Sequence, residues 1–78
     1  MKTVTLYTKP GCGLCAEAEH ELRALQREIA FELILCDITQ DPQLMAQYHD
    51  DIPVVLCEGS ELCRHRVDVE RVRRALAA

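Results

Sequence analysis

Two cysteines with two residues between them, Cys12-Gly13-Leu14-Cys15, are the positions in this sequence best suited by type and spacing to do chemistry. A dithiol at this spacing can close into a disulfide and reopen. One sulfur attacks a substrate disulfide as thiolate, and the other resolves the mixed disulfide that results. Zinc sites use the same spacing, so the elements that hold the pair decide between the two chemistries. Here the pair stands where a strand-like segment ends and an amphipathic helical pattern begins. A thiol at a helix N-terminus faces unpaired backbone N–H groups and the positive end of the helix dipole, both of which favour thiolate. This makes Cys12 the nucleophile. Cys15, almost one helical turn further on and more buried, is the resolving thiol. Lys9 adds a nearby cation, Gly13 leaves room for an approaching substrate backbone, and Leu14 offers an apolar contact or anchors the helix.

The positioning elements follow from periodicity. Thr3-Val4-Thr5-Leu6-Tyr7 alternates as a strand does, and Pro10 and Gly11 then break it. Leu14, Ala18, Leu22, Leu25 and Ile29 recur at helical spacing, predicting about four turns. Phe31 to Ile38 is nearly continuous in apolar residues, which predicts a strand covered on both faces, with Cys36 packed in the core. Asp41-Pro42 reads as an N-cap and first helical position, opening a short helix that packs through Leu44, Met45 or Tyr48. After the loop Asp50-Asp51-Ile52-Pro53, Val54–Cys57 and Glu61–Arg64 read as a hairpin about a Gly59-Ser60 turn. That register sends Cys57 and Cys63 to opposite faces, whereas a three-residue loop would place them opposite each other. Asp68 caps a last helix whose stripe is Val69, Val72 and Leu76, with Val67 and Val72 as a hydrophobic staple. The order is βαβαββα, an α/β domain spanning 1–78 with a four-stranded mixed sheet flanked by three helices. Its first two strands are parallel and its last two antiparallel.

Composition narrows the classes further. At 78 residues the chain holds one small core, and 49% hydrophobic with 28% charged residues fits a globular domain. No apolar run approaches the ~20 residues needed to cross a bilayer. The start lacks a signal-peptide pattern, so a cytoplasmic protein without membrane contact is expected. Residues 1–62 carry four basic against eleven acidic side chains, whereas residues 63–78 carry five arginines against Asp68 and Glu70. The arginine-rich end reads as a solvated helix complementing its own dipole, and the acidic body argues against nucleic acid. Five cysteines, an odd number, make a poor structural disulfide framework. Glu17, Glu19 and Glu21 read as a solvated helix face, and His20, His49 and His65 as solvated side chains.

Thr8-Lys9-Pro10-Gly11-Cys12-Gly13-Leu14-Cys15 following Val4-Thr5-Leu6-Tyr7 resembles the active-site segment of glutaredoxins, and Ile52-Pro53-Val54-Val55 resembles their second signature. The similarity is greatest to short bacterial glutaredoxin-like proteins with a C-x-L-C pair. The resemblance implies a thioredoxin-like fold and a thiol–disulfide oxidoreductase. It also implies a cis-Pro53 facing the cysteines and an Ile52 backbone that pairs with the bound thiol partner. It implies a disulfide-containing protein or small thiol as substrate, no resident cofactor or metal, and a monomer. The chain departs from the pattern in Gly13-Leu14 between the cysteines and in Asp51 two residues before Pro53. It also has Cys63-Arg64-His65-Arg66-Val67-Asp68 where a Gly-Gly pair is usual. These departures, Asp51 above all by its charge, argue against glutathione as the dedicated reductant and leave a thioredoxin-reductase-type protein equally open. Two other readings remain: a zinc or iron–sulfur module using Cys12 and Cys15, and a thioredoxin-like binding module without turnover.

Overall fold

A computed structural model describes residues 1–78. Its elements are β1 (Thr3–Thr8), α1 (Gly13–Gln26), β2 (Glu32–Asp37), a 3-10 turn (Ile38–Gln40), α2 (Pro42–Tyr48), β3 (Val54–Cys57), β4 (Ser60–Arg64) and α3 (Val69–Ala77). They form the expected α/β order, with one sheet in the order β2-β1-β3-β4. β1 and β2 are parallel, and β3 runs antiparallel to both β1 and β4.

Successive residues of β3 point to opposite faces, and the two halves of the core follow from that alternation. Val55 and Cys57 join Val4 and Leu6 under α1 and α3, where Ala18, Leu22, Leu25 and Val72 meet them. Val54 and Leu56 face the other way with Ile38 and Ile52, under Leu44, Met45 and Tyr48 of α2. Leu22 has no exposed surface, and burial of such a side chain contributes roughly 1.5–3 kcal/mol. The ends are tied by polar contacts: Arg73 of α3 pairs with Glu28 after α1, and Lys2 donates to the carbonyls of Ala75 and Ala78.

Several expectations are corrected. β2 is an edge strand, not one covered on both faces, and Ile34 and Leu35 remain 44% and 40% exposed. β3 is the strand buried throughout. Cys36 therefore lies only half-buried beside its partner Tyr7 and is not a core residue. The buried stripe of α1 begins at Cys15 and not at Leu14, which is 52% exposed; the helix ends at Gln26, leaving Ile29 to pack from the turn beyond. The segment after β2 closes into a 3-10 turn because Asp37 accepts from the N–H and hydroxyl of Thr39.

The hairpin also turns one residue earlier than expected. Glu58 and Gly59 both have positive φ, 50° and 83°, which suits a two-residue turn matched to strand twist, and Cys57 faces Ser60. The register then slips: Leu56 faces Glu61, Val55 faces Cys63, and Leu62 is the extra residue of a bulge. Leu62 and Cys63 consequently both border the cluster that contains Cys57. The two cysteines share a face where opposite faces were expected.

Candidate functional site

The first strand delivers the chain to the Lys9–Gly13 loop, where Gly11 takes φ +78°, a left-handed conformation that L side chains adopt only with strain. Cys12 is the N-cap of α1, with extended backbone, and its Sγ accepts a hydrogen bond of 3.2 Å from the Cys15 N–H. The sulfur thus occupies the role that a serine or aspartate oxygen usually plays at this position. Cys12 is half-buried, whereas Cys15 is 2% exposed. Burial pushes the Cys15 thiol up, and its hydrogen bond with Cys12 acts in the same direction. Hydrogen bonds to the Thr8 side chain and Lys9 backbone oppose them. All five cysteines are free thiols. Burial also raises the thiols of Cys57 and Cys63, which lie on the hairpin.

The Ile52-Pro53 peptide bond is cis, as the resemblance implied. Pro53 is fully buried, and Ile52 belongs to the same apolar cluster as Cys15, with Cys12 packed against it. The Pro53 carbonyl accepts from the His65 N–H at 2.7 Å, whereas the N–H and C=O of Ile52 take part in none of the hydrogen bonds of the molecule. An unpaired backbone N–H and C=O therefore lie beside the dithiol. Lys9, Gly13 and Leu14 are exposed, and a Cβ at Gly13 would meet open space. No group of three or more His, Cys, Asp or Glu side chains converges to hold a metal ion.

Asp51 behaves differently from the free anion expected from sequence. One of its oxygens lies 3.1 Å from Arg64 Nη1, and the other lies 3.2 Å from His65 Nε2. Arg64 is itself held by two 2.7 Å hydrogen bonds to Glu61 and stands 5.9 Å over the ring of Tyr48, which stacks tilted against Tyr7. The guanidinium depresses the Glu61 carboxyl below its ordinary range, chiefly through those hydrogen bonds. Asp51 is thus paired, but Arg64 serves the Glu61 carboxylate as well, so one guanidinium stands against two carboxylates. Sequence reasoning missed Thr8, Tyr48 and Arg64 as parts of this surround. Only the excess of arginines after the hairpin hinted at the last of them.

Comparison with known proteins places these features in a family. The family model described as Glutaredoxin-like domain (DUF836) matches residues 3–77. An uncharacterised protein of Mycobacterium tuberculosis is 34% identical over 79 aligned positions, covering 95% of this chain and 81% of that protein. The solution structure of protein Ne2328 from Nitrosomonas europaea superposes with a TM-score of 0.85 at 32% identity, covering 96% of this chain and 91% of the other. Mitochondrial thioredoxin 3 of Saccharomyces cerevisiae superposes at 0.67 with 15% identity, covering 97% of this chain and 76% of the other; that likeness is one of fold.

Proposed function

The chain belongs to the family described as Glutaredoxin-like domain (DUF836), and from that premise we propose that it is a thiol–disulfide oxidoreductase working through Cys12 and Cys15. The observation that carries the reading is the hydrogen bond from the Cys15 N–H to Cys12 Sγ at the start of α1. Such a bond strengthens when its acceptor is anionic. In the first step Cys12 thiolate attacks one sulfur of the substrate disulfide. A Cys12–substrate bond forms, the substrate S–S bond breaks, and the departing thiolate takes up a proton. Cys15 then loses its proton and attacks Cys12 Sγ, releasing the second substrate thiol. Two electrons have passed to the substrate, and the protein holds a Cys12–Cys15 disulfide.

The roles of the two thiols follow from access. Cys12 is reachable, and Cys15 is buried against the cluster that contains Ile52, so it acts only on a sulfur already brought to Cys12. Ile52, through its unpaired N–H and C=O, aligns an extended substrate segment, with Pro53, Lys9, Gly13 and Leu14 bordering the same approach. Substrates are disulfides of proteins or small thiols. The oxidised pair is reset by an external two-electron donor, either two glutathione molecules that leave as glutathione disulfide or a thioredoxin-reductase-type protein. A single-turnover measurement tests the proposal. Reduced protein mixed with a small aromatic disulfide should release its thiol and end with Cys12 joined to Cys15. Cys12→Ser should abolish the fast release that ends in the Cys12–Cys15 disulfide, leaving only slow reaction of the half-buried Cys36 and Cys63, and Cys15→Ser should stop at a stable mixed disulfide. Normal release by Cys12→Ser would refute the assignment.

A further inference from the structure

A groove of about 650 Å3 opens beside the dithiol, between α1 and the segment that joins β4 to α3. Leu14 lies at its cysteine end, Glu17 and Glu21 line the α1 wall, and Arg66 and Val67 line the other. The acidic residues of α1 fall into two groups. Glu19 is bonded to Arg23 outside the groove. Glu17 and Glu21 face the groove and pair with no cation, and Arg66 across from them pairs with no carboxylate. Unpaired charges on facing walls suit an occupant that brings its own counter-charges.

We propose that this groove seats an extended segment of a disulfide-bearing protein, and that Glu17 and Glu21 select lysine or arginine two and four residues from its reacting cysteine. The proposal rests on the oxidoreductase reading and specifies its substrate. Helix and strand geometry set the spacing. Along α1, Glu17 lies about 7.5 Å beyond Cys12 and Glu21 about 13.5 Å, at roughly 1.5 Å per residue. An extended chain advances about 3.3 Å per residue, so its second and fourth residues reach those depths. The same two residues project to one side of an extended chain, the side of α1, while the first and third turn toward Val67 and Arg66. With two carboxylates against one guanidinium, the lining favours a basic occupant.

Peptides with one cysteine, linked as a disulfide to thionitrobenzoate, and with lysine, norleucine or glutamate at the second and fourth positions test this by single turnover with reduced protein. The lysine peptide should react about three- to tenfold faster than the norleucine peptide, as two partly exposed ion pairs allow. Glutamate should be slowest. The spread should shrink in high salt, and the three rates should converge in the Glu17→Gln, Glu21→Gln double variant. Rates within twofold for the native protein, or a lysine preference intact in the double variant, would overturn the groove assignment alone. Failure of every peptide and of the small aromatic disulfide to oxidise the dithiol would overturn the oxidoreductase reading and the groove with it.

Discussion

Arg64 of β4 reaches Asp51 in the loop ahead of β3, with Nη1 3.1 Å from Oδ2, while it is clamped from behind by Glu61. The contact fixes the loop that carries Ile52 and Pro53 to the far edge of the sheet. Exposed ion pairs contribute about 0–1 kcal/mol, so Arg64→Leu should lower stability by less than about 1 kcal/mol. Single-turnover reduction should fall by several-fold, because the Ile52 peptide loses its brace. Equal reaction rates in the two proteins would show that the loop is held by its apolar contacts alone.

The Glu61–Arg64 contact also gives a signed pH dependence. The folded Glu61 carboxyl lies below its unfolded value of about 4.3, chiefly through its hydrogen bonds with Arg64. Its contribution is therefore present above that value and is lost as pH falls through the depressed folded one. Urea midpoints of the native chain and Glu61→Gln should differ at neutral pH and draw together as pH falls below the ordinary carboxylate range. A difference that persisted in acid would point to packing rather than charge.

Thiol accessibility predicts an order of modification. Iodoacetamide near neutral pH should label Cys12 first, at least about tenfold faster than Cys15. Cys15 is 2% exposed, and burial together with its hydrogen bond to Cys12 raises its thiol. Mass spectrometry of partly labelled protein reads the order directly, and faster labelling of Cys15 would reverse the assigned roles.

Two glycines near the dithiol should respond in opposite ways. Gly11→Ala places a Cβ at φ +78° and should destabilise by about 1 kcal/mol or more. Gly13→Ala lies at the first helical position with open space around its new Cβ. It should be neutral or stabilising by up to about 1 kcal/mol. If a substrate backbone approaches past Gly13 as proposed, turnover should nonetheless fall. Thermal unfolding and single-turnover rates on both variants separate the effects.

Asp41 accepts from the N–H groups of Gln43 and Leu44 at the start of α2. Asp41→Ala should cost about 0.5–2 kcal/mol. Hydrogen exchange should rise first in α2, which has no fully buried residue of its own, before it rises in α1.

The dithiol, the capped helices and the element order were legible in the sequence because each rests on local chemistry: a periodicity, an Asp-Pro start, a strand that breaks at Pro10-Gly11. Errors arose where neighbours decide. The apolar run of β2 looked like a central strand, but position in the sheet belongs to topology, and β3 took the centre. Leu14 fitted the helical stripe by hydropathy, yet the stripe is set by the half of α1 that faces the sheet, which begins with Cys15. Asp51 looked like an uncompensated charge because its partners Arg64 and His65 come from a different strand and the residue that follows it.

The single surplus residue in β4 has a further consequence. Residues three apart on a regular strand point to opposite faces, so Glu61 and Arg64 share one only because Leu62 bulges out of the ladder between them. The bulge therefore decides which side of the sheet the guanidinium serves. Were β4 to pair regularly through Leu62, Arg64 would face the other side of the sheet and its guanidinium would turn away from Asp51, though no atom near the sulfurs had been touched. Among relatives, an acid and an arginine three apart in this strand should accordingly come with the bulge.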